Sequence, residues 1–145
     1  MEFKVDYSDV QRFNVQIGRK LTQFPNEVKE AINKSTLSIE RQAKTNLTNN
    51  GSVVTGHLRR SISHKVSMTE GIVSANTKYA EGVEKGTRPH IIRAKKKKAL
   101  YWQGANHPVK VVNHPGSRAK PYLIPALKSE QPKFIQNLKE AVKID

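Results

Sequence analysis

The sequence predicts an α+β domain, in which a small, mainly antiparallel sheet packs against two or three helices. Apolar residues recur with helical spacing over about 25–48 and again over about 121–143, whereas between 58 and 76 the period changes to two. A chain of 145 residues has room for one such domain and one core. No internal repeat or linker divides it. We therefore expect a single domain over residues 1–145, with an extended basic loop at about 87–98.

The longest predicted helix covers residues 25–48. Pro25 presets the backbone of the first turn, and Glu27 places a negative charge where the helix dipole favours it. Asn50 and Gly51 end the helix, because both residue types tolerate the left-handed conformation. A shorter helix is predicted around residues 8–22.

A strand hairpin is predicted next. Leu58, Ile62, Val66 and Met68 fall on one face of a strand that starts at Leu58, and polar residues fall on the other. A turn at residues 69–71 leads to a second strand at 72–76. A short helical turn at 79–84 follows and is closed by Gly86.

The last third of the chain is predicted to be a basic loop, a second hairpin and a helix. Residues 99–102 and 109–112 are the strand candidates, and His114–Pro115–Gly116 is a turn. The final helix spans about 121–143. Pro132 is expected to kink or interrupt it, since proline removes a backbone donor and clashes with the preceding turn.

Composition excludes some classes of protein and favours certain partners. There are no cysteines, no apolar run long enough to span a membrane and no secretory signal, so synthesis in the cytoplasm is expected. The net charge is +14, and between Lys85 and Lys128 there are eleven Lys or Arg residues and no Asp or Glu. Such a field attracts nucleic acid, anionic lipid or an acidic protein surface.

No catalytic, metal or cofactor site is expected. No two of the five histidines lie three or four residues apart, and no serine stands in a nucleophile motif. Glu81 and Glu84 are the only acidic pair near the basic stretch. A nuclease would use such a pair to hold Mg²⁺, but two glutamates on one helix face are more often hydrated or locally paired.

The basic run has two interpretations. Lys95–Lys98, with arginines before it and Tyr101 and Trp102 after it, resembles a nucleic-acid patch in which aromatic rings stack on bases. The alternative is a solvated loop with two core aromatics behind it. A non-specific nucleic-acid-binding protein acting through residues 85–128 is therefore a second possible function.

Three segments in this order resemble the head–tail joining, or tail-completion, family of long-tailed phages. The first, Thr55-Gly56-His57-Leu58-Arg59-Arg60-Ser61-Ile62, is similar to the family's T-G-x-L-R-x-S-I. The second begins Tyr79-Ala80-Glu81-Gly82-Val83-Glu84-Lys85-Gly86-Thr87 and continues through Pro89-His90 to Lys95. The third comprises His114-Pro115-Gly116 and Pro121-Tyr122-Leu123-Ile124-Pro125-Ala126. The glycines and prolines of these segments suit turns and stiff connections.

The resemblance implies a non-enzymatic virion protein of the phage neck or tail that forms a homo-oligomeric ring. Its expected partners are head connector or head-closure proteins and tail tube or tail terminator proteins, with possible contact to passing DNA and none to membrane. Glu84 is expected to stay hydrated or to form a salt bridge with a neighbouring subunit. Interface residues are expected to be Arg59, Arg60, Glu84, Arg88, His90, Arg93, Lys95, Lys96, Lys97, Lys98, Trp102 and His114.

Overall fold

The structure, a computed structural model, describes residues 2–5, 24–52, 56–95, 98–102 and 105–142. The α+β class is confirmed, as are the long helix in the first half and the C-terminal helix. The elements of the described residues are β1 (Glu2–Val5), α1 (Pro25–Asn49), α2 (His57–Ser61), β2 (Ile62–Val66), β3 (Gly71–Ala75), α3 (Ala80–Lys85), β4 (His90–Arg93), β5 (Val111–His114) and α4 (Leu123–Ala141).

Helices α1 and α4 form an antiparallel pair. The start of α1 packs against the end of α4, where Val28 and Ile32 belong to one cluster with Phe134 and Leu138. The second half of α1 packs against Tyr122 and the first turn of α4. The described helix α4 runs without a break through Pro132, so the helix is not interrupted there, and the alternative expectation of a kink stays a prediction. Nine residues of α4 precede Pro132, and the turns on both sides of it bury their apolar face in the core with α1.

The main sheet is antiparallel with strand order β1-β3-β2. Ile62 on β2 and Val73 on β3 are buried in one core cluster with Ile39 and Ala43 of α1, so the sheet covers the helix pair with one face. Strand β1 pairs with β3 from Glu2 opposite Ser74 to Val5 opposite Gly71. We call this sheet, with the four helices, the body.

The predicted first strand begins four residues too early, because residues His57–Ser61 form helix α2. Leu58 is buried beside Ile62 in the core. Residues four positions apart lie on the same side of a helix and also on the same side of a strand. The spacing of Leu58 and Ile62 therefore could not distinguish the two structures. Gly56, in the left-handed conformation, begins the helix, and the Ser61 hydroxyl donates to the carbonyl of Leu58 at 2.8 Å. The predicted turn, the second strand and the helical turn closed by Gly86 are confirmed.

The second hairpin has a different pairing from the one predicted. Strand β4 lies inside the expected basic loop and pairs with β5, from His90 opposite His114 to Arg93 opposite Val111. The expected strands at 99–102 and 109–112 meet only in a single bridge between Leu100 and Val109. Among the described residues, β4 and β5 form a separate two-stranded sheet. The predicted helix at 8–22 lies outside the described residues, as do Thr55, Lys96 and Lys97.

Candidate interaction surface

The segment from Thr87 to Ser117, which we call the ribbon, leaves the body and returns to it at one point. There Thr87 and Ser117 exchange two backbone hydrogen bonds of 3.0 Å, and their hydroxyls lie 2.9 Å apart. Gly86 and Gly116 flank this bridge at φ +75° and +86°. A Cβ on Gly86 would lie 2.6 Å from the carbonyl oxygen of Ser117, and one on Gly116 would strike the backbone of Thr87. The base of the ribbon therefore requires glycine on both sides.

Glu84 ties this base to the body. Its carboxylate accepts the backbone N–H groups of Tyr122, Leu123 and Ile124, each at 2.9 Å. These donors are at the start of α4, which has no side-chain cap of its own. A carboxylate there satisfies orphan donors and interacts favourably with the helix dipole.

Both roles expected for Glu84 are wrong, since the side chain is 2% exposed. A group so enclosed is neither hydrated nor within reach of a neighbouring subunit. Beside it, Tyr122 is fully buried, and this burial, followed by the charge of Glu84, raises the pKa of the Tyr122 hydroxyl. The phenol is therefore neutral at any physiological pH.

Helix α1 holds the segment that follows the ribbon. The side-chain amides of Asn46 and Asn50 donate to the backbone carbonyls of Tyr122 and Lys120, at 2.9 and 3.2 Å. The backbone N–H of Lys120 donates to the carbonyl of Val83 at 2.8 Å. The ribbon thus starts and ends on backbone that is fixed from two sides.

His90 and His114 stack across the ribbon just above its base, with ring centroids 4.9 Å apart. Nδ1 of His90 lies 2.8 Å from the carbonyl oxygen of Arg88. Because this oxygen can only accept, Nδ1 carries the hydrogen and donates a hydrogen bond to it. Nδ1 of His114 accepts the backbone N–H of Gly116 at 3.0 Å and is therefore unprotonated. The two rings brace the turn that leads back to the body.

Beyond the histidines the ribbon exposes apolar side chains. Ile91 is 57% exposed and Val111 43%, and every residue of β4 is exposed. Tyr101 and Trp102 are exposed as well, at 69% and 49%, so the interpretation of these two rings as core aromatics is wrong. Contiguous exposed apolar groups mark interaction sites far more often than scattered ones do.

The ribbon also carries exposed cationic residues. Arg88, Arg93, Lys95, Lys98 and Lys110 are all exposed on the ribbon. The whole stretch from 85 to 128 carries no carboxylate. Within this stretch, therefore, no negatively charged side chain offsets the positive charges.

The predicted interface residues divide into three groups. Arg59 and Arg60 are exposed, but on helix α2 of the body and not on the ribbon. Glu84 is buried. The rest of the described set lies on the ribbon, exposed except for the half-buried His114: Arg88, His90, Arg93, Lys95, Lys98, Trp102 and His114. Of the motif residues, Leu58 is buried, Tyr79 exposed, and Pro115, Pro121 and Pro125 exposed.

The acidic pair of the nuclease hypothesis does not face a common point. Glu84 uses both oxygens on backbone donors inside the body, whereas Glu81 is exposed and pairs with Lys85 at 2.8 Å. Within the described ranges, no three His, Cys, Asp or Glu side chains are placed to hold a metal ion. The geometry offers no support for Mg²⁺ at this pair.

A second polar cluster, which the sequence did not indicate, joins helix α1 to the sheet. Glu40 bonds to Lys44 through one carboxylate oxygen and to Nδ1 of His64 through the other. Partial burial by itself would raise the pKa of Glu40, but the hydrogen bonds and charges of Lys44 and His64 lower it below the ordinary 4.5. The cluster fixes β2 on the helix.

No family model, curated protein or solved structure matches the chain. None of the helices in the described ranges is long and apolar enough to cross a membrane.

Proposed function

We propose that the protein is a non-enzymatic structural subunit of a tailed phage's neck, where a ring of its copies joins the head connector to the tail or completes the tail's head-proximal end. The resemblance over residues 55–126 supports this assignment. The observation that carries it is the ribbon, whose apolar and cationic side chains are exposed on a base that the body holds firmly. Such an arm is built for contact with another molecule.

In this proposal the body forms the wall of the ring, through contacts between different surfaces of identical neighbours, as closed cyclic symmetry requires. The ribbon reaches the adjacent ring or tail protein. Its charge speeds and orients docking more than it sets the final affinity. The anchor at Glu84 keeps the direction of the ribbon constant among the copies of the ring.

Electron cryomicroscopy of particles from a phage that encodes this chain tests the assignment. We expect a symmetric ring of its copies between the connector and the tail tube, with each ribbon directed at the next ring. Particles that lack the chain, or hold it outside the neck and tail, would contradict the proposal. A knockout of the gene provides the control, because the ring density should disappear with the protein.

A second candidate function is non-specific nucleic-acid binding, which the exposure of Tyr101 and Trp102 favours. Exposed aromatic residues that follow Lys95 and Lys98 closely in the sequence match the pattern in which rings stack on bases and lysines contact phosphates. The isolated chain would then bind single-stranded DNA with an affinity that falls steeply as salt rises. Lys95→Glu with Lys98→Glu should abolish that binding, whereas Lys29→Glu with Lys34→Glu on helix α1 should leave most of it.

A further inference from the structure

The two faces of the β4–β5 ladder differ in exposure. Residues directly opposite each other share a face, so Ile91 and Asn113 lie on the same side as Arg93 and Val111. All four are exposed, and we call them the outer face. The other side carries Ile92, Val112 and the two histidines, of which Val112 and His114 are half-buried. The outer face is thus the more exposed side of the ladder in the described structure, although His90 and Ile92 on the other side are exposed as well.

Aliphatic side chains form the centre of the outer face. Ile91 lies opposite Asn113, and Val111 is the residue two positions before Asn113, so Ile91 and Val111 are diagonal neighbours. Diagonal pairs on a sheet lie about 7 Å apart, within reach of one partner side chain inserted between them. A two-stranded ribbon is only marginally stable by itself. Burial of this pair in a contact would stabilise the ribbon and its partner together.

Cations form the border of the outer face. Arg93 belongs to it, and the exposed Lys95 follows two residues later, just beyond the end of β4, whereas Lys110 lies opposite Ala94 on the side of Ile92 and Val112. No carboxylate lies anywhere on the ribbon. The matching surface must therefore present apolar groups at its centre and carboxylates at its border.

We propose that the outer face docks on a different protein, at an apolar patch bordered by Asp and Glu side chains; this deepens the proposed function and rests on it, since the partner would be the neighbouring neck or tail protein. Nucleic acid fits less well, because phosphates would gain nothing from the exposed Ile91 and Val111. The ribbon of a second copy fits less well too, because it carries no carboxylate to match Arg93 and Lys95.

Three polyanions test this chemistry on the full chain: poly-Glu, a random Glu–Tyr copolymer of matched length, and duplex DNA. Binding is measured for the wild type, for Ile91→Ser with Val111→Ser, and for Met68→Ser. Met68 is the matched control, because it is 44% exposed but lies in the β2–β3 turn. Thermal unfolding by circular dichroism, and the emission of Trp102 on the ribbon, report whether each variant keeps its fold.

The wild type should bind the Glu–Tyr copolymer about tenfold more tightly than poly-Glu, since burying one aliphatic side chain contributes on that order. The double variant should lose this advantage and keep its poly-Glu affinity, and Met68→Ser should behave as the wild type. Equal affinity for the two polypeptides would overturn the proposal. So would tighter binding to DNA that the double variant leaves unchanged, which would point to nucleic acid.

Sedimentation velocity tests whether the partner of the outer face is a second copy of this chain. If the wild type associates and the double variant is monomeric, the outer face binds a second copy and the proposal of a different partner is wrong. Neither this result nor the polymer results depend on where the chain lies in a virion. A neck ring seen with the outer face uncovered would leave the proposed function intact while refuting the docking surface.

Discussion

The body and the ribbon are held together by different forces. In the body, side chains from both long helices and from the sheet are removed from water in two apolar clusters. In the ribbon, strand order depends on backbone hydrogen bonds, a pair of stacked histidines and a glycine crossing at the base. Folding energy is thus concentrated in one region, and the surface free for recognition in the other. Substitutions should have opposite consequences in the two regions.

The sharpest contrast compares two aliphatic truncations. Leu47→Ala removes a fully buried side chain at the centre of the core and should lower the free energy of unfolding by about 3 kcal/mol. Ile91→Ala should change it by less than about 0.5 kcal/mol, because Ile91 is mostly in water. Urea denaturation followed by far-ultraviolet circular dichroism measures both. A large loss for Ile91→Ala would mean that the ribbon packs on the body in solution.

Glu84→Ala should also cost about 3 kcal/mol, because it leaves three helix N–H groups without their acceptor in a buried site. Glu81→Ala is the matched control on the same helix. It removes only a solvent-exposed pair with Lys85, so its effect should be barely measurable. Equal effects of the two substitutions in the same urea titration would contradict the anchoring role of Glu84.

Gly116→Ala should destabilise the chain by about 2 kcal/mol, combining a positive φ with a clash against the Thr87 backbone. Gly51→Ala measures the cost of the positive φ alone, since Gly51 has φ +68° and nothing lies within 4 Å of an added Cβ. It should cost only about 1 kcal/mol. Emission of Trp102, the sole tryptophan, should shift in Gly116→Ala alone, because that strain acts on the ribbon. The same shift in Gly51→Ala would argue against a close crossing at the base.

Acid should weaken the joint between helix α1 and the sheet. The pKa of Glu40 is lowered below 4.5 in the folded chain, so its stabilisation is complete above 4.5 and disappears as the pH falls through the lower folded value. Glu40→Gln should remove less than about 1 kcal/mol at neutral pH and flatten the stability curve in this acidic window. Thermal unfolding of the wild type and of Glu40→Gln between neutral pH and pH 3 measures how the stability of each depends on pH. Parallel curves for both proteins would show that Glu40 contributes nothing.

Local patterns predicted the fold class and both long helices, because helical spacing and the proline at the start of α1 act within a few turns. Pairing of the second hairpin was not predictable in the same way. Strand β4 shows no alternation, since Ile91 and Ile92 are adjacent, and its partner lies beyond the loop and the bridge at Leu100. Register over such a separation is a tertiary property.

One feature of the sequence does indicate that Glu84 caps helix α4. Helix α4 begins after Pro121 and Tyr122, with no Ser, Thr, Asp or Asn in the capping position. A helix without a cap of its own needs an acceptor from elsewhere, and Glu84 is the last carboxylate before the long basic stretch. The exposure of Trp102 had no such signal, because an aromatic residue in a short strand suits a core and an interface equally well.

Complementation of a phage that lacks this gene tests the central claim most directly. Plasmid-borne wild type and Met68→Ser should restore the titre of infectious particles, whereas Ile91→Ser with Val111→Ser should fold normally and fail, leaving separate heads and tails in electron micrographs. Full titre from the double variant would show that the outer face of the ribbon is not the joint between head and tail.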